Sequence, residues 1–296
     1  MTGDPNDLEC MIVEKYAHRS NLIYAKKIHS EKTKFQEIGV YENPVFGRML
    51  TLDGVLQFAQ NDEFLYHEAL VQPAMHISKP KNVLILGGGD GCAAREVLMH
   101  SPEGKVVLVD IDEGVTSTCK KYFGGINRGS LEDEGLELII GDAKEFLESD
   151  PRKFDVIISD ITDPEVVGDY FYGAEFIGKC KNMLSGSGVF VTQAGPAGYN
   201  EPSAKAIYEG IRGLFRNCAL YSTPYIGSFS LSWGFVMCSD SAGLERIDDD
   251  GGNCGLKHRY FSGRMYDAMR TFANVMENRK VMTLGCRFEV KERKQE

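Results

Sequence analysis

The sequence predicts an α/β protein, a doubly wound and mostly parallel sheet preceded by a small antiparallel β domain. Three observations carry that prediction. From Val83 onward short apolar runs alternate with helical segments, as in a parallel sheet covered on both faces. Four of those runs lead into an aspartate: Asp90 in the turn Gly87-Gly88-Gly89-Asp90-Gly91, Asp110 after Val106-Val107-Leu108-Val109, Asp142 after Leu138-Ile139-Ile140-Gly141, and Asp160 after Val156-Ile157-Ile158-Ser159. In open α/β sheets the carboxyl ends of the strands are where ligands bind. Before residue 63 the chain reads instead as strands and turns.

In chain order, candidate strands are Met11–Val13, Leu22–Ala25, Phe35–Val40, Arg48–Leu52 and Val55–Phe58. Asp53-Gly54 fits a two-residue hairpin loop between the last two. Residues 63–77 turn helical with an interrupted apolar pattern. There follow strand 82–86, helix 91–100, strand 105–110, helix 112–122, strand 136–140, helix 143–149 and strand 154–159. A helix at 173–184, a strand at 188–193, a helix near 203–215, an antiparallel strand at 233–238 and a closing helix at 262–276 complete the reading. The acidic stretch Asp248–Gly252 reads as an exposed loop. The expected division is 1–62 for the small β domain and 63–296 for the sheet domain.

Composition narrows the function. The 296 residues, 43% of them hydrophobic, are enough for one large domain and a smaller one. A formal charge of −10, from 43 acidic and 33 basic residues, argues against nucleic acid and favours a cationic ligand. Met1–Asp7 lacks the regions of a signal peptide and no apolar run approaches a membrane span, so the expected location is cytoplasmic, with no membrane partner. The eight cysteines are scattered without a CxxC pair and read as reduced, buried thiols. The six histidines show no metal-ligand spacing, and no metal is expected.

The turns suggest what the cleft holds. A glycine-rich turn before a helix admits a ligand to the backbone, and Asp110, about 20 residues on, suits both hydroxyls of a ribose. Asp142-Ala143 can accept from an adenine amino group, and Asp142 also suits an N-cap. Asp90 opposes a dinucleotide, because its charge repels a pyrophosphate and welcomes an ammonium or sulfonium. It equally suits a turn in which an aspartate bonds its own backbone. Decarboxylated S-adenosylmethionine, which ends in an amine, fits such a turn better than its carboxylated parent. Asp160 and Asp163 flank Ile161-Thr162 after a buried strand, where carboxylates can orient an attacking amine and take its proton. Asp163-Pro164 also suits a simple turn.

With these residues in place the chain resembles the polyamine aminopropyltransferases, spermidine synthases and their relatives. The resemblance runs from about Lys34 to Asp240 and rests on Phe35-Gln36, Leu52–Gln57, Asp62–Glu68, the GGGDG turn, Asp110-Ile111-Asp112, Gly141-Asp142-Ala143, Asp160–Pro164 and Gln193-Ala194-Gly195. It implies a Rossmann-like sheet, of the kind found in S-adenosylmethionine methyltransferases, behind a small β domain. The implied reaction moves an aminopropyl group from decarboxylated S-adenosylmethionine to an amine, releasing methylthioadenosine. Asp160 matches the proton acceptor, and Asp163 and Tyr66 the acceptor-amine site. Gln36, His67, Asp90, Asp110, Asp142 and Ala143 match the donor site. A homodimer or homotetramer is implied, with no metal or redox cofactor.

The chain also departs from the family pattern. Cys92 replaces a glycine, Asp110 stands where glutamate is common, Ile161 replaces a serine, and Val167 replaces a proline in the loop over the donor. Ala93–Glu96, Val191–Gly198 and Ser232–Phe235 look closer to thermospermine synthases, which extend spermidine, whereas Asp90 is the spermidine-synthase choice. Tyr225 and Phe229 are both candidates for the far wall of the amine channel. The alternatives are a methyltransferase on the same fold and a non-catalytic polyamine- or nucleoside-binding protein.

Overall fold

The computed structural model describes residues 10–16, 19–162, 169–197, 203–247 and 257–278. They form two sheets. The first is antiparallel, in the order β1 (Cys10–Tyr16), β2 (Arg19–Lys32), β3 (Glu37–Asn43), β4 (Gly47–Leu52) and β5 (Val55–Ala59). The β4–β5 hairpin closes through Asp53 and Gly54, at φ 50° and 80°. Two left-handed residues match the twist of the flanking strands, which is why Asp-Gly serves here. β2 is far longer than the expected Leu22–Ala25, and β3 starts at Glu37 rather than Phe35. Thr33 explains the later start: its Oγ1 accepts the Phe35 and Gln36 N–H groups, tying both into a turn outside the ladder.

The second sheet contains seven of the described strands, ordered β11-β12-β10-β9-β6-β7-β8. β6 (Val83–Gly87), β7 (Val106–Asp110), β8 (Leu136–Ile140), β9 (Phe154–Asp160) and β10 (Leu184–Ala197) run parallel. β12 (Ser232–Ser239) and β11 (Asn217–Ser222) complete it antiparallel. The doubly wound class is thus observed. β11 is an addition, because the helix expected to reach residue 215 stops at Ile211 and an edge strand follows.

Helices cover both faces. α1 (Glu63–Ser78), α2 (Cys92–Leu98) and α3 (Glu113–Asn127) pack on one side; α4 (Ala143–Ser149), α5 (Ala174–Met183) and α6 (Ser203–Ile211) pack on the other. α7 (Gly263–Asn278) packs on β11. Successive strand residues therefore serve two cores: Val83 and Ile85 face the first, Leu84 and Leu86 the second. Each such side chain, fully buried, contributes roughly 1.5–3 kcal/mol, and double-sided burial makes the strands read as unbroken apolar runs. α1 sits against β9, β10, β12 and α2. It is buried on most of its surface, which interrupts its amphipathic pattern. The first core continues from Val83 through α1 to Ile38 and Phe58 of the small sheet. Among the described residues no helix is long and apolar enough to cross a membrane.

Candidate active site

Strand order reverses between β9-β6 and β6-β7, and a cavity of about 410 Å³ opens at the carboxyl ends of these strands. This is the switch point where open sheets bind ligands. The turn after β6 forms its floor. Gly87 pairs with Asp160 across the ladder, and a Cβ on it would lie 2.3 Å from the Asp160 carbonyl oxygen. A Cβ on Gly89 would lie 2.6 Å from Asp110 Oδ2. Glycine is required at both positions because the two aspartates press against the turn.

Gln36, Tyr66, His67, Asp90, Asp110, Asp142, Ala143 and Asp160 all line this one cavity. Asp163 and Val167 lie outside the described residues, as does the Asp248–Gly252 stretch. Phe229 lines the cavity, whereas Tyr225 is 57% exposed and does not. Leu50, Leu56 and Gln57 of the small sheet close one side, so both sheets build the site.

Each carboxylate is held differently. Asp110, the last residue of β7, accepts the Gly89 N–H on Oδ2 and the Asp112 N–H on Oδ1, each at 2.9 Å. Burial pushes its pKa up to about 6, against the pull of those backbone donors. Asp90 accepts the Cys92 N–H at 2.6 Å, so it bonds its own turn while also facing the cavity. Asp142 caps α4 through the Lys144 N–H at 2.7 Å and lines the cavity too. The Asp160 carboxylate accepts the Tyr66 hydroxyl on Oδ1 at 2.7 Å, and its buried Oδ2 has no partner among the described residues. Burial and then the charge of Asp90 push Asp160 up to about 6, with His67 and the Tyr66 hydroxyl pulling the other way.

His67 is almost fully buried. Its Nδ1 lies 2.8 Å from Glu63 Oε2 and 2.9 Å from the Glu63 carbonyl oxygen, and its Nε2 lies 3.8 Å from Asp90 Oδ1. Burial alone would strip its proton; the Glu63 hydrogen bond and the charges of Asp90, Glu63 and Asp160 outweigh this and push the pKa up to about 9. Glu63 is in turn held at about 2, where burial would raise it, by hydrogen bonds and charge from His67 and Arg95. Arg95 donates to both Glu63 oxygens, at 3.0 and 2.9 Å. The Glu63–Arg95 support was not foreseen. The i, i+4 spacing of Glu63 and His67 on one helix was the available signal, but Arg95 is brought to them only by packing of α2 on α1.

At the apolar end, where Phe229 and Tyr225 were the candidates, Phe229 lines the cavity and Trp233 joins it unforeseen. Trp233 and Phe229 line it beside Tyr66, whose ring centroid lies 6.0 and 6.5 Å from theirs. Gln193 fixes this corner: its Oε1 accepts from Trp233 Nε1 at 3.1 Å, and its Nε2 donates to the Ile161 carbonyl at 2.8 Å. Gln36 is held beside the cavity by donating to Asp112 Oδ2 at 3.0 Å.

One pocket thus combines four half-buried aspartates, Asp90, Asp110, Asp142 and Asp160, with a single imidazolium, an arrangement that attracts cations. Donor atoms of His67, Asp90 and Asp160 lie within 4.8 Å of one another. A divalent metal there would have to displace the proton that Glu63 and Asp90 hold on His67, whereas an ammonium or sulfonium needs no such exchange.

Comparison with known proteins gives matches to two family models: the spermine/spermidine synthase domain over residues 63–248 and the spermidine synthase tetramerisation domain over residues 21–60. Thermospermine synthase ACAULIS5 of Arabidopsis thaliana is 39% identical over 228 residues, covering 75% of this chain and 67% of that protein. A polyamine aminopropyltransferase of Erwinia tasmaniensis is 36% identical over 228 residues, covering 75% and 79%. A solved spermidine synthase in complex with the transition state analogue AdoDATO superposes with a TM-score of 0.85 at 28% identity, covering 91% of this chain and 94% of that one. The spermidine synthase of Thermotoga maritima gives 0.82 at 27% identity, covering 91% and 93%.

Proposed function

The chain belongs to the spermine/spermidine synthase family of aminopropyltransferases, and from that premise we propose that its donor is decarboxylated S-adenosylmethionine and its acceptor a polyamine. Putrescine would give spermidine; spermidine would give thermospermine or spermine. Methylthioadenosine leaves in either case. The observation that carries this reading is Asp160, a buried carboxylate with one oxygen unbonded among the described residues, facing the same cavity as Asp90 and Asp110.

In this reading Asp110 takes the ribose, Asp142 and Ala143 the adenine, and Asp90 the aminopropyl ammonium, with His67 and Gln36 beside it. Tyr66, Phe229 and Trp233 wall the acceptor end, and Asp163 belongs to the acceptor site by family resemblance. The attacking amine needs a free lone pair but is protonated near neutral pH. Asp160, with a pKa near 6, is ionised at pH 7 and poised to accept the proton released on attack. The sulfonium is already a good leaving group, so the site acts mainly by alignment and by holding two cations that repel each other. No metal or redox cofactor is needed for such a step. The tetramerisation-domain match and the outward Leu22 and Tyr24 of β2, 54% and 57% exposed, support a homo-oligomer formed through the small sheet.

The test is a product assay by mass spectrometry with decarboxylated S-adenosylmethionine and, separately, putrescine, agmatine and spermidine. Methylthioadenosine with an aminopropylated amine is the expected result, and the preferred amine names the subtype. Intact donor binding without transfer to any amine overturns the proposal.

A further inference from the structure

The edge strand β11 and its neighbour β12 hold two thiols that aminopropyl transfer does not use. Antiparallel pairing sets Cys218 directly opposite Cys238. Opposed residues in such a ladder have Cα atoms roughly 4.5–5.5 Å apart, within the roughly 4.4–6.8 Å that a disulfide spans. Both side chains lie on the face covered by α6. Their Sγ atoms are 2.7 Å apart, already approaching the roughly 2.05 Å of a covalent S–S bond. No backbone movement is needed to join them.

The two sulfurs are also unlike. Cys238 is fully buried, while Cys218 is half-buried on the sheet edge, where a small oxidant can reach it. The hydrogen bond from Cys238 holds the Cys218 thiol below its ordinary pKa despite its partial burial. The Lys181 ammonium adds to this effect and Asp240, its ion-pair partner at 2.7 Å, opposes it. Cys92, Cys119 and Cys180, by contrast, are buried, and burial pushes each thiol up. A thiolate near an ammonium with a second thiol in contact is the setting in which oxidation stops at a disulfide.

We propose that Cys218 and Cys238 are a redox pair that hydrogen peroxide converts to a cross-strand disulfide. The Cys218 thiolate attacks the peroxide: an S–O bond forms, the O–O bond breaks, and the leaving hydroxide is protonated to water. Cys238 then loses its proton and attacks the Cys218 sulfur. The S–S bond forms, the S–O bond breaks, and the released hydroxide takes that proton. Two thiols are oxidised, one peroxide is reduced, and two waters result. The bond ties the open end of the hairpin whose other end carries Phe229 and Trp233 of the cavity wall.

The experiment treats the full-length native protein with stoichiometric hydrogen peroxide and reads intact mass and a non-reducing peptide map. The expected product has lost two hydrogens, joins the Cys218 peptide to the Cys238 peptide, and returns to the starting mass with dithiothreitol. In Cys238→Ser the reaction should stop at a Cys218 sulfenic acid that dimedone traps, and in Cys218→Ser no linked peptide should form. The inference is overturned if Cys218 gains oxygens while Cys238 still alkylates, if neither thiol reacts, or if the linkage joins other cysteines. The wild-type map decides the matter even if a variant fails to fold, and mass rather than turnover is read, so the outcome is independent of the proposed reaction.

Discussion

Glu68 and Asp160 are both buried carboxylates beside α1, and the chain treats them in opposite ways. On the back of the helix, Glu68 Oε1 accepts the Arg259 N–H at 2.8 Å, and Oε2 accepts the Tyr260 and Phe261 N–H groups at 2.8 and 2.7 Å. Both its oxygens are filled, and the charge anchors the segment leading to α7. On the cavity side, Asp160 keeps one oxygen unbonded among the described residues and has Asp90 for a neighbour. A filled carboxylate secures the fold, whereas a half-filled one costs stability and keeps a lone pair for a ligand. Burial of charge alone therefore does not mark a reactive group. The distribution of its partners does.

The contrast is open to direct test, and the largest effect should come from Asp160→Asn. We expect turnover to fall by roughly 10²–10⁴-fold while donor affinity by calorimetry stays within a few-fold; wild-type turnover would remove Asp160 from its proposed role. Stability should move the other way. The folded pKa of Asp160, about 6, lies above its ordinary 3.8, so the folded state binds more protons between these values and loses stability as pH rises through them. Asp160→Asn should therefore gain on the order of 1–3 kcal/mol above pH 6, and the gain should vanish below pH 3.8. In the wild type, kcat/KM should drop as pH falls through about 6.

Glu68→Gln should show the reverse profile. Its amide nitrogen would face N–H donors, so urea denaturation should register a loss of about 1–3 kcal/mol with donor affinity intact. An unchanged midpoint would break the comparison. Asp110→Ala should weaken donor binding by roughly 10–100-fold through loss of the proposed ribose contact, and equal affinities by calorimetry would refute that contact. The smallest effect is expected of Tyr66→Phe, about tenfold or less in kcat. Because the hydroxyl stabilises the Asp160 carboxylate, the acid limb of its pH profile should move upward, and a fixed limb would discount the Tyr66 bond.

Much of the sheet was legible because β6, β7 and β9 are buried on both faces and so appear as apolar runs of strand length. The aspartates at their ends were readable for the same reason, since a charge ending such a run has few other uses. The places of Gln36 and Tyr66 in the cavity came from family resemblance rather than from pattern. β11 was missed because Asn217–Ser222 is a short edge strand directly behind a helix end. Arg95 and Trp233 were missed for a different reason. Each reaches the site through a side chain distant in sequence, Glu63 or Gln193, and neither pairing leaves a periodic trace.

The crowded turn after β6 has a further consequence, for strand alignment. A slide of β6 by one residue against β9 would exchange its two faces, yet both faces are apolar and both are buried, so burial alone hardly opposes the slide. What opposes it is the terminus. A slide that brought Leu86 opposite Asp160 would drive a Cβ into the Asp160 backbone, where Gly87 now fits. The same residues that shape the ligand cleft thus oppose a slide of the two central strands in that direction, which ties the cleft to the sheet that carries it.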